Sequence, residues 1–407
     1  MLYRAHLIAA LEERHEEFAR FERALRDEVG GAAAALRSLS GKTADEVRRS
    51  VTSSQGEPRV TLPSDELDSA GAVVLPFGEA WRSHEEARRW ALRVLENRVT
   101  FAADGSQIFP GREATVPVAA VQIACFENPH APSGDYTKES FVSVLTPAEL
   151  LGDGRAYESP DQLVGVRRFE LEAEAVCAFL ERRRGWRARG ERMPLAFFDN
   201  TLVISSRRKD TEVLFSKRYT AALSELLRLS RECEVPVVGY VDNSYAPDIR
   251  DLLEALHAGA RTAGGLFDAK ILRALSEGAP PLLRSWGDRT IFWHCRRPNL
   301  AASFYDEAGE PLVGFVYLQT TADCNPARLD IPAWAQASGL VPEVADVVRA
   351  ECVVGNGYPY AIETADQAAV MSANDRSEFL HLVEEFAARN GLEFAVARKA
   401  ASKGRRR

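Results

Sequence analysis

Two aspartates at comparable points of two apolar segments could together hold a metal ion. Asp104 lies within residues 99–110 (VTFAADGSQIFP), which begin as a β-strand and then reach an Asp-Gly-Ser sequence where the backbone can bend sharply. Asp199 lies 95 residues later, within residues 195–205 (LAFFDNTLVIS), in a run too apolar for an edge loop. An ionised carboxylate beside a buried sheet is costly unless a cation or hydrogen-bond donors compensate it. Two such carboxylates that converge on folding indicate a divalent-metal site.

A helix predicted over residues 161–184 supplies a third carboxylate. Its apolar residues recur at spacings of three and four, and Glu172 falls within that stripe. Glu172 is therefore predicted to project toward the side of the helix that packs on the sheet. Glu170 and Glu174 are rotated away from the stripe, but they remain competing candidates, and Glu172 could simply pair with Arg168 four residues earlier.

The elements around these residues follow a definite order. The strand with Asp104 and two alternating runs at residues 115–126 and 139–145 predict an antiparallel meander. After the helix with Glu172 and the strand with Asp199, strands and helices alternate. The further strands are predicted at residues 235–241, 290–295 and 313–319, and the helices at 218–233, 247–257, 266–276, 341–350 and 363–389. An RNase H-like fold needs this order of parts, so the predicted fold class is α/β, a mixed sheet flanked by helices.

The segment ahead of Asp104 predicts an N-terminal helical extension. Residues 1–38 show helical spacing of apolar residues, with Gly30-Gly31 as a stop, and residues 39–75 have the polar composition of a linker with a short helix near its start. A further helix is predicted over residues 80–97. The chain is thus divided into an N-terminal helical region with linker (1–97), an RNase H-like domain (98–390) and a basic C-terminal tail (391–407).

Composition excludes several classes of protein. The 407 residues contain no apolar run long enough for a membrane helix, and charges near the start argue against a signal peptide, so we expect a cytoplasmic protein. Six cysteines without a C-x-x-C pair argue against a zinc module and a disulfide framework. The net charge of −8 gives no general attraction to nucleic acid. Basic clusters at residues 182–189, 207–209 and 403–407 are either solvated ends or a local path for DNA.

Five segments in a fixed order resemble the NurA nuclease family, whose members have an RNase H-like core and act with the HerA hexameric ATPase in DNA end resection. The matching segments span roughly residues 98–380. They are AADGSQI around Asp104, RRFELEAEAV with Glu172, FFDNTLVIS around Asp199, ARLDIPAW at residues 327–334, and GYPYAIETADQAAVMSANDR at residues 357–376.

The resemblance implies a nuclease that uses Mn²⁺ or Mg²⁺, with Asp104, Glu172 and Asp199 as carboxylate ligands. In the last segment of the family, a tyrosine stands eight residues before a position that is often histidine. Here Tyr358 and Asp366 occupy these positions, so Asp366 would be a fourth carboxylate ligand, which suits a hard cation at least as well. A lysine that some members carry after a later strand is replaced by Asp242.

The chemistry of phosphodiester hydrolysis agrees with this set of residues. The reaction needs a nucleophilic water, stabilisation of charge on the phosphate oxygens and help for the departing 3′-oxygen. Two divalent ions about 4 Å apart can supply all three, and carboxylates hold hard cations at that separation. Four acidic residues provide the charge for two such ions, and Asp104 is predicted to bridge them.

Each of these residues also has a purely structural interpretation. Asp104 could form a turn, Asp199 could be satisfied by backbone N–H groups, Asp366 could favour the first turn of a helix, and Tyr358 could simply pack.

The sequence favours a 5′-to-3′ exonuclease with single-strand endonuclease activity, acting as a homodimer with a HerA-type ATPase in DNA end resection and double-strand break repair, as the resemblance implies. The absence of G-x-x-x-x-G-K-[ST] means that ATP-driven translocation must come from a partner. One alternative is a catalytically weak adaptor that dimerises and regulates the ATPase. Another keeps the fold but changes the substrate to RNA or hybrid duplexes.

Overall fold

A computed structural model of the chain describes most of its residues: 3–55, 59–111, 114–151, 159–204, 213–257, 265–273, 280–298, 300–321 and 325–395. These pack as two compact units. The first unit comprises Met1–Ala80, Val241–Leu300 and Val313–Ala333. The second unit comprises Trp81–Tyr240, Ala301–Leu312 and Trp334–Arg407.

The strands are β1 (Leu62–Pro63), β2 (Val74–Leu75), β3 (Thr100–Ile108), β4 (Ala119–Asn128), β5 (Thr137–Leu145), β6 (Leu195–Phe198), β7 (Val237–Val241), β8 (Arg289–Thr290), β9 (Trp293–His294), β10 (Val313–Leu318) and β11 (Ala327–Pro332). Most predicted strands are confirmed with small shifts of their ends. The prediction missed β1, β2 and β11, and the strand predicted at 290–295 is two short strands.

The helices are α1 (Arg4–Glu13), α2 (His15–Arg37), α3 (Ala44–Gln55), α4 (Glu66–Ala70), α5 (His84–Leu95), α6 (Pro147–Leu151), α7 (Pro160–Arg183), α8 (Val213–Cys233), α9 (Asp248–Leu256), α10 (Asp268–Leu272), α11 (Ala333–Ala337), α12 (Val341–Val354), α13 (Tyr360–Ala369) and α14 (Ala373–Arg389). None of the helices in the described part of the chain is both long enough and apolar enough to span a membrane.

The sheet of the second unit has the strand order β7-β6-β3-β4-β5. β3, β4 and β5 form the predicted antiparallel meander, whereas β6 and β7 run parallel to β3 on its other side. Three antiparallel strands followed by two parallel strands beside the first is the RNase H-like arrangement. The predicted fold class is therefore confirmed.

Helices α7 and α13 cover β3, the central strand of this sheet. Phe101 of β3 stacks on Phe179 of α7 with ring centroids 4.6 Å apart, and Phe169 lies edge-on to Phe198 at 5.3 Å. Aromatic pairs in these geometries contribute about 0.5–1.5 kcal/mol beyond the burial of their area. The apolar stripe of α7 is thus packed against β3 and β6, as its periodicity predicts.

Strand β3 also corrects the expected bend at Asp104. It runs unbroken from Thr100 to Ile108, so Asp104 and Gly105 are strand residues and not a turn. The hydrogen bonding of β3 to β4 continues in register through both positions. Gly105 is therefore not needed for a turn. It is needed because helix α7 approaches β3 closely at this position, as described below.

The N-terminal region differs from its prediction. A single helix over residues 1–38 is replaced by α1 and α2, and α2 continues through Gly30 and Gly31. Each glycine inside a helix costs about 1 kcal/mol relative to alanine. The burial of Ala33 and Leu36 in the last turns of α2 offsets this cost. The expected stop was therefore wrong. In residues 39–75, α3 confirms the short helix predicted near residues 44–50, whereas β1, α4 and β2 were not predicted.

The last long helix predicted over residues 363–389 is broken in two. α13 ends at Ala369, and α14 begins after Ser372. Ser372 accepts a hydrogen bond from the N–H of Asp375, and the Asp375 carboxylate accepts one from the N–H of Ser372. This capping box starts a new helix at the point where the prediction continued the old one.

The first unit contains a chain of buried ion pairs. Arg297 donates two hydrogen bonds of 2.7 Å to Asp248, and Arg328 donates to the same carboxylate at 2.5 Å. Arg328 also donates to Asp330 at 2.7 Å, and its guanidinium lies 3.8 Å from the centre of the Phe315 ring. Arg328 and Asp330 belong to the ARLDIPAW segment, so this segment forms β11 and supplies charges to a buried network.

Asp268 lies beside this network and is fully buried. One of its carboxylate oxygens accepts hydrogen bonds from the N–H groups of Ile249 and Arg250, and the other accepts one from the Tyr317 hydroxyl. Donors therefore occupy both oxygens of this buried carboxylate.

Candidate active site

Asp104 and Asp199 stand side by side because their strands are parallel neighbours. Ala103 of β3 is in register with Phe198 of β6, and each aspartate is the next residue along its chain. β6 ends at Phe198, so Asp199 is an exposed residue just beyond the strand and not part of an apolar run. The loop that follows packs closely on β7, since a Cβ on Gly239 would lie 2.6 Å from the Asn200 carbonyl oxygen. This contact fixes where the chain turns after Asp199.

Gly105 lets helix α7 approach β3 beside Asp104. A Cβ at this position would lie 2.7 Å from Cγ of Arg168, 2.7 Å from Cδ1 of Ile123 and 2.8 Å from Oε1 of Glu172. Real Cβ atoms do not tolerate such distances, so only glycine leaves room for both side chains of α7. Glu172 is 7% exposed and faces the sheet, as its place in the apolar stripe predicts.

The last segment brings Tyr358 to the same place. Asn356 and Gly357 both have positive φ, at 56° and 109°, and this tight turn leads from α12 into Tyr358. The Tyr358 hydroxyl donates a hydrogen bond of 2.9 Å to Oδ1 of Asp199, and its ring lies edge-on to Tyr240. The tyrosine thus holds the exposed aspartate in place.

Asp366 is carried by α13, in its second half and not in a first turn as the structural interpretation required. Both ends of this helix are tied to the sheet. Near its start, the buried Glu351 accepts hydrogen bonds from the N–H of Ala361 and the hydroxyl of Thr100, each at 2.9 Å. At its end, the Ala369 carbonyl accepts hydrogen bonds from Ser106 and Gln122. Asp366 is therefore held against β3, where its charge acts on Asp104.

The crowding of carboxyl groups shows in the pKa of Asp104. Burial is the main cause that raises this pKa to about 6, the charges of Asp199 and Asp366 contribute to the rise, and the Gly105 N–H opposes it. Nearby like charges disfavour the ionised form of Asp104.

Glu172 is more strongly affected. Its pKa is raised to about 8, mainly by burial and in part by the charges of Asp104 and Asp199, whereas Arg168 and the Gly105 N–H oppose the rise. Oε1 of Glu172 is buried without a hydrogen-bond partner in the described residues. A carboxylate oxygen in that position lacks the compensation that buried polar groups normally have.

These side chains fit a divalent cation by their chemistry. Four carboxyl groups from β3, α7, the end of β6 and α13 act on one another, and one buried oxygen is unsatisfied. Carboxylate oxygens are the preferred ligands of Mg²⁺ and Mn²⁺. Within the described ranges, no three His, Cys, Asp or Glu side chains already have the arrangement needed to hold a metal ion. The Tyr358 hydroxyl occupies one of the carboxylate oxygens, Oδ1 of Asp199.

The competing residues on α7 have other partners. Glu170 receives two hydrogen bonds of 2.6 Å from Arg218, and Glu174 receives one of 2.9 Å from Arg167. Both carboxylates therefore accept hydrogen bonds from arginine, whereas Oε1 of Glu172 lies 3.3 Å from Nε of Arg168 without accepting one.

The basic clusters give little support to a DNA path. Arg182 and Arg183 both pair with Glu127, and Arg184 lies 3.8 Å from Glu232. The clusters at residues 207–209 and 403–407 lie outside the described residues. Five of the six cysteines are described, and no disulfide joins any two of them.

Two features of the site went unnoticed in the sequence. Gly105 was interpreted as part of a turn, and Arg168 only as a surface partner of Glu172. Gly105 directly follows Asp104, and Arg168 stands four residues before Glu172, so both positions were visible in the sequence. The contact between Gly105 and Arg168, however, joins residues 63 positions apart. No local pattern reports such a contact.

A family model described as the NurA domain matches residues 98–371, which is more than half of the chain. No curated protein sequence matches the chain.

Among solved structures, the chain is similar to a crystal structure of NurA with manganese, at 11% identity and a TM-score of 0.38, over 71% of this chain and 89% of that one. It is also similar to endonuclease V from Bacillus subtilis, at 10% identity and a TM-score of 0.32, over 78% of this chain and 97% of that one. The catalytic domain of human endonuclease V matches at 13% identity and a TM-score of 0.30, over 81% of this chain and 100% of that one.

Proposed function

This chain belongs to the NurA family and is a nuclease, and on that premise we propose that it hydrolyses DNA with the help of bound divalent cations. The observation that carries the proposal is the convergence of Asp104, Glu172, Asp199 and Asp366, with one buried carboxylate oxygen left unsatisfied. Carboxylates with raised pKa values and no compensating donors are typical of functional sites.

The four carboxylates would hold the cations, Mn²⁺ or Mg²⁺ and two in number. When bound, such ions lower the pKa of water and stabilise negative charge on the phosphate and on the leaving 3′-oxygen. Asp104 and Glu172, whose pKa values are raised, must lose their protons before they can act as ligands, so cation binding releases protons.

Other groups position these ligands. The Tyr358 hydroxyl orients Asp199 through its hydrogen bond, and the absence of a side chain at Gly105 lets Glu172 reach the site. Glu351 fixes α13 to β3 and so sets the position of Asp366. Each ligand is thus held by a contact that joins two elements of the second unit.

The specific activities and the partner that we propose are those of the NurA family. We propose 5′-to-3′ exonuclease and single-strand endonuclease activity, exerted by a homodimer with a HerA-type ATPase in DNA end resection and double-strand break repair. The net charge of −8 supports dependence on a partner, because a chain with this charge gains no general attraction to DNA. A ring that threads DNA would supply the missing affinity.

Asp104→Asn tests the proposal most directly. The substitution removes one ligand charge while it keeps the size of the side chain, and we expect cleavage of a labelled single strand with Mn²⁺ to fall by at least about 100-fold. The measurement is the initial rate of product formation, with circular dichroism to establish that the variant is folded.

Glu174→Gln is the matched control, since it removes a carboxylate of α7 that is half-exposed and paired with Arg167. Its rate should stay close to that of the wild type. If Asp104→Asn retains full activity, Asp104 has no place in the mechanism. If the wild-type protein cleaves no DNA with or without the ATPase yet alters ATP hydrolysis, the adaptor function replaces the nuclease.

A further inference from the structure

Arg168 lies across β3 beside the acidic residues. Its Nη1 donates a hydrogen bond of 3.1 Å to the carbonyl oxygen of Gly105, the residue that follows Asp104. Its Nε is 3.3 Å from Oε1 of Glu172, one helical turn further along α7. The guanidinium is therefore anchored at the edge of the site and not in open solvent.

These contacts are not those of an optimised salt bridge. Nε of Arg168 and Oε1 of Glu172 are both buried, and neither has a hydrogen-bond partner in the described residues, despite their short separation. By contrast, Arg218 meets Glu170 with two parallel hydrogen bonds of 2.6 Å. An arginine whose task is to neutralise a carboxylate adopts that forked geometry. The one hydrogen bond that Arg168 donates to the described residues goes to a neutral carbonyl oxygen.

Part of the guanidinium remains available to a ligand. The side chain of Arg168 is 37% exposed, and the described residues give its Nη2 no hydrogen-bond partner. The carbonyl of Gly105 fixes the plane of the guanidinium from one side. The N–H groups of Nη2 and the second N–H of Nη1 can donate to the oxygens of a phosphate group, a ligand that the guanidinium geometry suits.

The charge of the site gives this arrangement a purpose. Asp104, Glu172, Asp199 and Asp366 repel a phosphodiester as well as one another. A positively charged side chain beside these carboxylates lowers their repulsion of a DNA phosphate that the metal ions do not neutralise. Arg168 is the cation that acts on Glu172.

We propose that Arg168 is a phosphate-binding residue, which holds a backbone phosphate of the DNA strand next to the acidic residues. The inference rests on the proposed function, since it requires a DNA strand at this site. It assigns to Arg168 direct contact with the substrate, in addition to its contact with Glu172.

The test compares Arg168→Met with Arg167→Met. Arg167 is the adjacent residue of the same helix, and its guanidinium lies within 3.4 Å of Glu170 and 2.9 Å of Glu174, so its loss removes an equal charge outside the site. Binding of a fluorescent single-stranded oligonucleotide is measured by anisotropy with Ca²⁺ in place of Mn²⁺. We expect Arg168→Met to weaken binding about tenfold or more, and Arg167→Met to leave it within about twofold.

A second measurement identifies the contact. Backbone phosphates of the oligonucleotide are replaced one at a time by neutral methylphosphonates. The wild-type protein should lose affinity at one position where Arg168→Met loses none, and the salt dependence of binding by the variant should fall by about 0.7 in slope. If every methylphosphonate weakens both proteins equally, Arg168 contacts no phosphate.

The outcomes also separate this inference from the proposed function. Arg168→Met that cleaves and binds like the wild type overturns the inference and leaves the nuclease intact. A wild-type protein that binds DNA through Arg168 but does not cleave it overturns the nuclease alone. If Arg168→Met changes the affinity for Mn²⁺ in the absence of DNA but leaves DNA binding unchanged, Arg168 is only a counter-ion of Glu172, and the inference is overturned. Should Arg168→Met fail to fold, Arg168→Lys keeps the charge without the fork and takes its place in the methylphosphonate series.

Discussion

The two units each contain a group of acidic side chains, and the two groups are compensated in opposite ways. In the first unit, burial alone would raise the pKa of Asp248, but the guanidiniums of Arg328 and Arg297 hold it well below its usual range. In the second unit, burial raises the pKa of Asp104 and Glu172, and neighbouring carboxylates raise both further. The first group is neutralised by arginines of the protein, whereas in the second group neighbouring carboxylates add to the rise in pKa.

Hydrogen-bond donors make the difference clearer than the pKa alone. Burial and the charge of Asp248 raise the pKa of Asp268 to about 7, but donors occupy both of its oxygens. Oε1 of Glu172 has no such donor among the described residues. A raised pKa therefore does not distinguish a structural acid from a ligand. The unsatisfied oxygen does.

The largest expected effect is the loss of stability when Asp248 is removed from the group that arginines compensate. Asp248→Asn leaves two buried arginines without their shared carboxylate, and we expect the free energy of unfolding to fall by about 3–5 kcal/mol. Asp366→Asn in the second unit should cause no loss of stability, because it removes a carboxyl group that repels its neighbours. Urea unfolding at neutral pH in the presence of EDTA measures both. Equal losses for the two variants would show that the groups do not differ in the way described.

A smaller effect should follow from Gly105→Ala. The new methyl group would overlap Arg168 and Glu172, and overpacking of this kind costs about 1–3 kcal/mol. Because both side chains must shift, we expect the cleavage rate to fall by about 100-fold, more than the loss of stability alone would cause.

Gly165→Ala, also on α7, is the control for this substitution. Its Cβ would meet no atom within 4 Å, so it should leave activity unchanged and stabilise the helix slightly. Full activity of Gly105→Ala would mean that the close approach of α7 is not needed for catalysis.

The two groups should also differ in how stability depends on pH. With folded pKa values of about 6 for Asp104 and about 8 for Glu172, the metal-free folded protein binds more protons than the unfolded chain. Stability should therefore fall as the pH rises from about 5 to 8, by at most about 1.4 kcal/mol per pH unit for each proton. Asp248 has the opposite sign, since its lowered pKa stabilises the fold above its unfolded value and this stabilisation is lost only in strong acid.

Urea unfolding in EDTA at several pH values measures this dependence. Glu172→Gln should flatten the decline between pH 6 and 8. An unchanged slope in that variant would mean that Glu172 does not hold its proton in the folded state.

Local patterns in the sequence predicted most of the second unit. The alternation in β4 and β5 and the apolar stripe of α7 depend on neighbours within one element, so they were visible without the fold. The same stripe identified Glu172 as the inward carboxylate. The two apolar segments also predicted that Asp104 and Asp199 converge, and the register of β3 and β6 places the two residues side by side.

Contacts between distant segments escaped that reasoning. Gly105 resembled a turn because the residue that needs its space, Arg168, is on another element. α13 and α14 resembled one helix because their apolar spacing continues across the capping box at Ser372. The ion pair between Arg328 and Asp248 gave no signal at all, since a buried charge in a sequence does not reveal its partner.

The sequence by itself determined which acidic residues the protein carries and the order of the elements that hold them. Only the tertiary structure decided which of those acids are satisfied, because compensation depends on the distance to a donor or a cation and not on position along the chain. Asp248 and Glu172 are both buried carboxylates on helices, and packing alone gives arginines to one and leaves an oxygen of the other unsatisfied.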